Sequence, residues 1–285
     1  LACRKRQRHQ AQDQVTHQPH IAAPLEIPEA HLPLAEPDAV LDVPAPEAHP
    51  QQPRQRRPRR RFYMLPVKSA IAAPVGSAIT LKRPIGVEQV AEREWAVDGS
   101  PADAMIVALN KLLPAPPDLV FSGINCGANM GENVYYSGTV GAAMEATINF
   151  IPAVAISVAY KAKEINYSNA AQFARRLAEL ILKEGLPEGV LLNVNVPQTW
   201  TGSVRFTRQS KKITRNLLKE DVDPRGRTYY WLHEQVRKDD IEPETDYAAI
   251  YSGAISVTPL ELDRTHQTSL NHLSHWAELL ESIRR

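Results

Sequence analysis

Cysteine is almost missing from this chain, which has Cys3 and Cys126 and no others in 285 residues. Two cysteines build neither a disulfide framework nor a cysteine-rich zinc site. That points to a reducing compartment, read here as the cytoplasm, rather than to a small secreted scaffold. Long apolar runs are missing as well. The stretch from Ala153 to Ala159 falls far short of the roughly 20 residues that a membrane-spanning helix needs, so no membrane partner is expected. The basic start at Arg4, Lys5, Arg6 and Arg8 is not followed by the roughly 7 to 15 apolar residues of a secretory leader, so none is expected. Nor does one charge dominate. With 33 Lys plus Arg against 32 Asp plus Glu and a formal net charge of +1, no general affinity for nucleic acid is expected.

Two further absences divide the chain. All 13 glycines lie at or after Gly76, and no asparagine precedes Asn110. Ten of the 23 prolines, by contrast, fall before residue 59, and six arginines crowd between Arg54 and Arg61. Prolines every few residues from Pro19 to Pro58 allow neither an undisturbed helix nor a central strand. Residues 1–75 therefore read as a Pro/Arg/Gln-rich, disordered or non-native segment. The arginine run has no interleaved aromatics, so it reads as part of that segment rather than as a nucleic-acid or membrane-surface patch.

From Gly76 onward the pattern is that of a globular domain. Residues 117–121 (PDLVF) read as a short apolar strand that ends in a glycine-rich turn, SGINCGANMG, at 122–131. A helix pattern from Val140 to Phe150 carries the small residues Gly141, Ala142, Ala143 and Ala146. Pro152 to Val158 reads as a buried strand and Asn169 to Glu184 as an amphipathic helix with Ala171, Phe173, Ala174, Leu177, Leu180 and Ile181 on its apolar side. Val190 to Val196 is a further buried strand. Strand and helix in alternation signal a parallel sheet flanked by helices. The tail differs, with β-prone pieces at 204–207, 228–233 and 254–259 and a terminal helix over 269–284.

In an open α/β sheet, ligands bind beyond the carboxyl ends of the strands. SGINCGANMG occupies that place, with Asn125 and Asn129 bringing short amide side chains to the strand tip. Ser137, Gly138 and Thr139 then open the next helix and offer hydroxyls and backbone N–H groups to an anion. A tight turn plus a helix cap is the alternative account of the same residues. Glu145 fits either acid–base chemistry or an ordinary solvated helix position, and Cys126 reads as a bystander because no histidine lies near it in sequence. Asp103 falls in the first turn of a helix that starts after Gly99-Ser100, with Pro101 at its first position. No G-x-G-x-x-G follows a first strand, which argues against a dinucleotide-dependent oxidoreductase.

Residues 76–285 resemble the SurE survival proteins, metal-dependent 5'/3'-nucleotidases that act as phosphatases on nucleoside monophosphates. The resemblance is carried by GSAITLKRPI (76–85), WAVDGSPADAMIVAL (95–109), PDLVFSGINCGANMGENVYYSGTVGAAMEA (117–146), IPAVAISV (151–158), LLNVNVP (191–197), DPRGRTYYW (223–231) and TDYAAIYSGAISVTPLELD (245–263). It implies a Rossmann-like three-layer α/β/α fold with a C-terminal β-hairpin and helix extension. It also implies a divalent cation, Mg or Mn, ligated by Asn125, and a phosphate surrounded by Asn129, Ser137, Gly138 and Thr139. The family pairs its subunits through a hairpin like that around Asp223 to Trp231 and through an exchanged C-terminal segment, so a homodimer or homotetramer is expected.

The resemblance also shows what is missing. The family begins with a strand ending in Asn-Asp-Asp-Gly, whose carboxylates carry the metal, yet no adjacent Asp pair occurs before Asp239-Asp240. A serine ligand expected near position 73 is replaced by Ala73. Magnesium is held by one or two carboxylates in near-octahedral oxygen coordination, so a single amide does not suffice. The reading is therefore a SurE-like nucleotidase by descent, its catalytic aspartates not identified in this chain. The alternative is an inactive remnant that binds nucleotide or only oligomerises. The abrupt change of composition leads to a further expectation, that residues 1 to about 75 derive from a shifted reading frame. Read two bases out of phase, the codons for Lys68 to Pro74 permit Lys-Arg-Asn-Arg-Ser-Ala. Without its first strands, the sheet is expected to expose an apolar edge.

Overall fold

The computed structural model describes residues 78–159 and 165–281. The expectations for residues 1–75, for Ala73 and for the arginine run lie outside the described residues. The described chain opens with an antiparallel pair, β1 (Gly86–Ala91) and β2 (Glu94–Asp98). Helix α1 (Pro101–Val107) follows and widens into a π-type turn at Ala108–Leu112 before Pro114 stops it. Its start is the one that the Gly99-Ser100-Pro101 signal predicts. The Ser100 hydroxyl accepts from the Asp103 N–H at 3.0 Å, and the Asp103 carboxylate accepts from the Ser100 N–H at 2.7 Å, closing a capping box.

Next come β3 (Val120–Cys126), a 3-10 turn at Gly131–Tyr136, and α2 (Gly138–Ile148). Then follow β4 (Ala153–Ala159), α3 (Ser168–Glu184), β5 (Val190–Pro197) and β6 (Val204–Phe206). The long hairpin β7 (Thr214–Val222) and β8 (Thr228–Val236) leads to α4 (Asp246–Tyr251), β9 (Ile255–Glu261), α5 (Gln267–Leu273) and α6 (Trp276–Glu281).

Five strands form the main sheet in the order β3-β4-β5-β9-β6. The first three are parallel, as the strand–helix alternation predicts, but β9 enters between β5 and β6, antiparallel to β5 and parallel to β6, so the sheet is mixed. One face carries Val154, Ile156 and Val158 of β4 with Leu192, Val194 and Val196 of β5, packed under Ala170, Leu177 and Ile181 of α3. The opposite face carries Ala153 and Ala155 of β4 and Leu191 of β5 against Val140, Ala142, Ala143 and Ala146 of α2, with Met105 of α1. Alanine faces alanine here, which lets α2 lie close to the sheet. Helices on both sides make the three-layer α/β/α arrangement.

Several boundaries differ from the sequence reading. The glycine-rich turn is shorter than expected, because β3 runs on through Ser122 to Cys126 and only residues 127–130 turn. On α3 the apolar stripe runs through Ala170, Phe173, Ala174, Leu177 and Ile181, while Leu180 is 53% exposed. The terminal helix is two short ones, broken at Ser274 and His275, and neither buries a residue. The Asp223 hairpin is longer than its turn suggested. Asp223 Oδ1 accepts from the N–H groups of Arg225 and Arg227, and its Oδ2 accepts from Arg227 Nε at 2.8 Å. The hydrogen bond from the Arg227 backbone leads the causes that hold the Asp223 carboxyl below its ordinary value.

Candidate functional site

The second face of the sheet changes character along its length. Ala153, Ala155 and Leu191 at one end are apolar, whereas Ser157, Asn193, Asn195, Ser256 and Thr258 at the other are polar and buried. The register aligns Asn125, Ser157, Asn195 and Ser256 across four neighbouring strands. A row of this kind shares one face, because side chains alternate with period two.

Asn125 reaches that row only through an irregularity in β3. Ser122 pairs with Ala155 and Asn125 with Ser157, so three steps on β3 match two on β4. The extra residue reverses the alternation beyond it. Gly123 makes the bulge sterically feasible: its φ is +133°, and a Cβ there would lie 2.3 Å from the Ile156 carbonyl oxygen. Asn125 then turns its Nδ2 to the Gly127 carbonyl at 2.8 Å, and its Oδ1 takes part in no hydrogen bond among the described residues.

Asn129 is 8% exposed and held from several sides. Its N–H donates to Asn195 Oδ1 at 2.8 Å, and its Nδ2 donates to Ser157 Oγ at 2.8 Å. Its carbonyl accepts from Asn193 Nδ2 at 2.8 Å and from Asn195 Nδ2 at 3.0 Å. The backbone N–H, the carbonyl and one side-chain N–H of Asn129 are thus engaged within the protein. Two residues further on, the Gly131 N–H donates to Asp246 Oδ2 at 2.8 Å, and the Gly131 carbonyl accepts from Gln209 Nε2 at 2.7 Å. Burial leads the causes that push the Asp246 carboxyl above its ordinary value, against the pull of hydrogen bonds from Gly131, Tyr247 and Ser210. Burial likewise raises the Tyr247 phenol, with the charges of Glu132 and Asp246 adding to it.

The segment then delivers Ser137 to the start of α2. Ser137 is the N-cap, its Oγ accepting from the Val140 N–H at 3.2 Å. Gly138 and Thr139 occupy the first two positions of an 11-residue helix, where the N–H groups have no intrahelical acceptor. They point along the positive end of the helix dipole, a setting that suits an anion. Ser137, Gly138 and Thr139 are therefore brought together at one helix terminus, while Asn125 and Asn129 lie on the strand and loop that lead to it. Glu145 sits two turns along α2, where it accepts from Asn149 Nδ2 at 3.1 Å. Asp239 and Asp240 lie on an exposed 3-10 turn, and Asp240 pairs with Arg237 at 2.9 Å.

These donors do not fit a divalent cation. Among the described residues no group of three or more His, Cys, Asp or Glu side chains is placed to hold a metal. The chain also has no Asp or Glu between Glu47 and Glu88, so the residues just before the described domain add none. One neutral oxygen on Asn125 falls short of the oxygen cage that magnesium requires.

Ser157, Asn193, Asn195 and Asp246 are the site residues that the sequence reading passed over. A signal for two of them was present: VLLNVNVP sets two amides at period two inside an otherwise apolar strand, so one face of β5 is polar where an ordinary buried strand has none.

A family model described as survival protein SurE matches residues 67–216. Three proteins named 5'-nucleotidase SurE are similar to this chain. The one from Geotalea daltonii is 45% identical over 206 residues, which is 71% of this chain and 83% of the relative. The one from Geobacter sulfurreducens is 45% identical over 71% of this chain and 78% of its own length. The one from Moorella thermoacetica is 41% identical over 74% and 86%. Among solved structures, the crystal structure of the SurE protein from Aquifex aeolicus matches with a TM-score of 0.63 and 34% identity, covering 71% of this chain and 83% of that one.

Proposed function

Because the chain belongs to the SurE survival-protein family, we propose that it is a nucleotidase-type phosphomonoester hydrolase whose substrates are nucleoside monophosphates. The observation that carries this reading is the start of α2, where Ser137 caps the helix and Gly138 and Thr139 leave their N–H groups free for an anion. A phosphate there meets two backbone donors and the positive end of a helix dipole. Asn129 shapes the loop around it, and Asn125 offers its Oδ1 from the strand tip.

The family resemblance implies Mg or Mn as the cofactor, which would neutralise charge on the phosphoryl oxygens and activate water. The described donors do not fit such an ion. That mismatch favours a second reading, a member of the family that binds nucleotide without hydrolysing it. In either reading the chain is proposed to self-associate as a homodimer or homotetramer. Leu218, Tyr230, Trp231 and Leu232 of the hairpin and Leu270, Trp276, Leu279 and Leu280 of the last two helices are all more than half exposed. A single chain leaves those apolar groups in water.

The test is phosphate release from a panel of nucleoside monophosphates, with Mn, Mg or EDTA present, and with Asn125→Ala as control. Turnover that EDTA abolishes and Asn125→Ala loses supports hydrolysis and requires carboxylates from elsewhere in the chain. No turnover, with nucleotide binding detected by calorimetry, selects the second reading. Neither turnover nor binding defeats both.

A further inference from the structure

Three buried polar side chains of the sheet converge on one residue of the site loop. Asn193 and Asn195 of β5 both donate to the Asn129 carbonyl, at 2.8 and 3.0 Å, and Asn195 Oδ1 takes the Asn129 N–H at 2.8 Å. Asn195 thereby grips the N–H and the C=O of one residue with a single amide, much as a neighbouring strand would. Ser157 of β4 completes the contact by accepting from Asn129 Nδ2.

Asn193, Asn195 and Ser157 are all fully buried. The Asn193 Oδ1 has no hydrogen-bond partner. An amide oxygen left unpaired inside a sheet is costly, and an apolar residue would serve the sheet better. The one bond that the Asn193 side chain makes runs to Asn129, which is the only return on that cost. Asn129 lies four residues beyond Asn125 at the strand tip and two before Gly131, the start of the turn that delivers Ser137.

We propose that Asn193 and Asn195 are positioning residues for the phosphate site, fixing residues 127–131 by holding the Asn129 backbone. They touch no substrate and act through Asn129 alone. This rests on the reading of Ser137, Gly138 and Thr139 as the phosphate site.

The test uses the full chain with Asn195→Ala and Asn193→Ala, read by hydrogen exchange over residues 126–133 and by equilibrium binding of inorganic phosphate. The proposal expects exchange over 127–131 to rise by about tenfold or more, with peptides from α3 unchanged, and phosphate affinity to fall by about tenfold. Unchanged exchange over 127–131 overturns it. So does faster exchange with unaltered phosphate affinity, which would reduce the two asparagines to packing. If a variant fails to fold, Ser157→Ala, which removes only the hydroxyl that accepts from Asn129, carries the same two readouts and the same criteria. If the unsubstituted chain takes up no phosphate, the functional reading above fails, and exchange over 127–131 alone then decides whether the asparagines hold the segment.

Discussion

Asp246 Oδ2 accepts the Gly131 N–H at 2.8 Å across a sequence separation of 115 residues, joining the first turn of α4 to the loop that leads into α2. Its other oxygen accepts from Ser210 at 3.2 Å and from Tyr247 at 2.8 Å. One fully buried carboxylate therefore satisfies three backbone donors. Asp246→Ala strands them, and a loss of about 2 to 3 kcal/mol in a urea melt is expected.

Asp246 also sets a pH dependence. Its folded carboxyl titrates above its unfolded value because of burial, so its contribution is full at low pH and declines as pH rises through the folded value. Asp246→Asn removes that titration. The stability gap between the two proteins should be wider near about pH 4 than near about pH 7. A gap that widens with rising pH would contradict the assignment.

Asp103 carries the opposite sign. Burial works to raise its carboxyl, but hydrogen bonds from the Thr80 hydroxyl and N–H and from Ser100 outweigh it and leave the value lowered. Its stabilisation is present above the ordinary carboxylate range and is lost as pH falls through the lowered value. Asp103→Ala removes the capping box and should cost about 1 to 2 kcal/mol at neutral pH, with a smaller difference in acid. Thermal melts across an acid series check both parts.

Gly123→Ala tests the bulge. The added methyl meets the Ile156 carbonyl oxygen at 2.3 Å and forces an L side chain into a φ of +133°. A destabilisation of about 2 to 4 kcal/mol is expected, because backbone rather than a flexible side chain must move. Loss of the bulge would also return Asn125 to the α3 face, so phosphate binding should weaken by more than Ser137→Ala weakens it.

Ser137→Ala removes the cap of α2 and its bond to Val140. About 1 kcal/mol of stability should go with it. Calorimetry with inorganic phosphate should show weaker binding, since the first turn frays at the proposed anion site.

Trp231→Glu and Leu232→Asp test self-association. Both residues are more than half exposed on β8, where they contribute nothing to the core of a single chain. Sedimentation should show the proposed homodimer or homotetramer falling to single-chain mass without a lower melting midpoint for the α/β core. An unaltered mass would remove the hairpin from the interface.

Much of the fold was legible because its elements are locally encoded. The Ser100-Pro101-Asp103 signal fixes the start of α1, and apolar runs broken only by Ser157 in β4 and by Asn193 and Asn195 in β5 mark these two as strands covered on both faces. Small residues along α2 mark the side that packs on the sheet. The insertion of β9 between β5 and β6 was not legible, since strand order depends on contacts that sequence neighbours do not report. The break at Ser274 and His275 was hidden for a related reason: no packing partner holds the periodic pattern straight.

The site divides the same way. The sequence alone marked out the segments of the candidate site, because SGIN, GAN and YSGTV set glycine, small amides and hydroxyls at a strand tip and a helix start. Tertiary structure decided which atoms remain available. A single extra residue at Gly123 turned Asn125 onto the polar face, since period-two alternation reverses at a bulge. Asn193 and Asn195, distant in sequence, took up the peptide of Asn129, because buried donors and acceptors must find partners wherever the fold brings them.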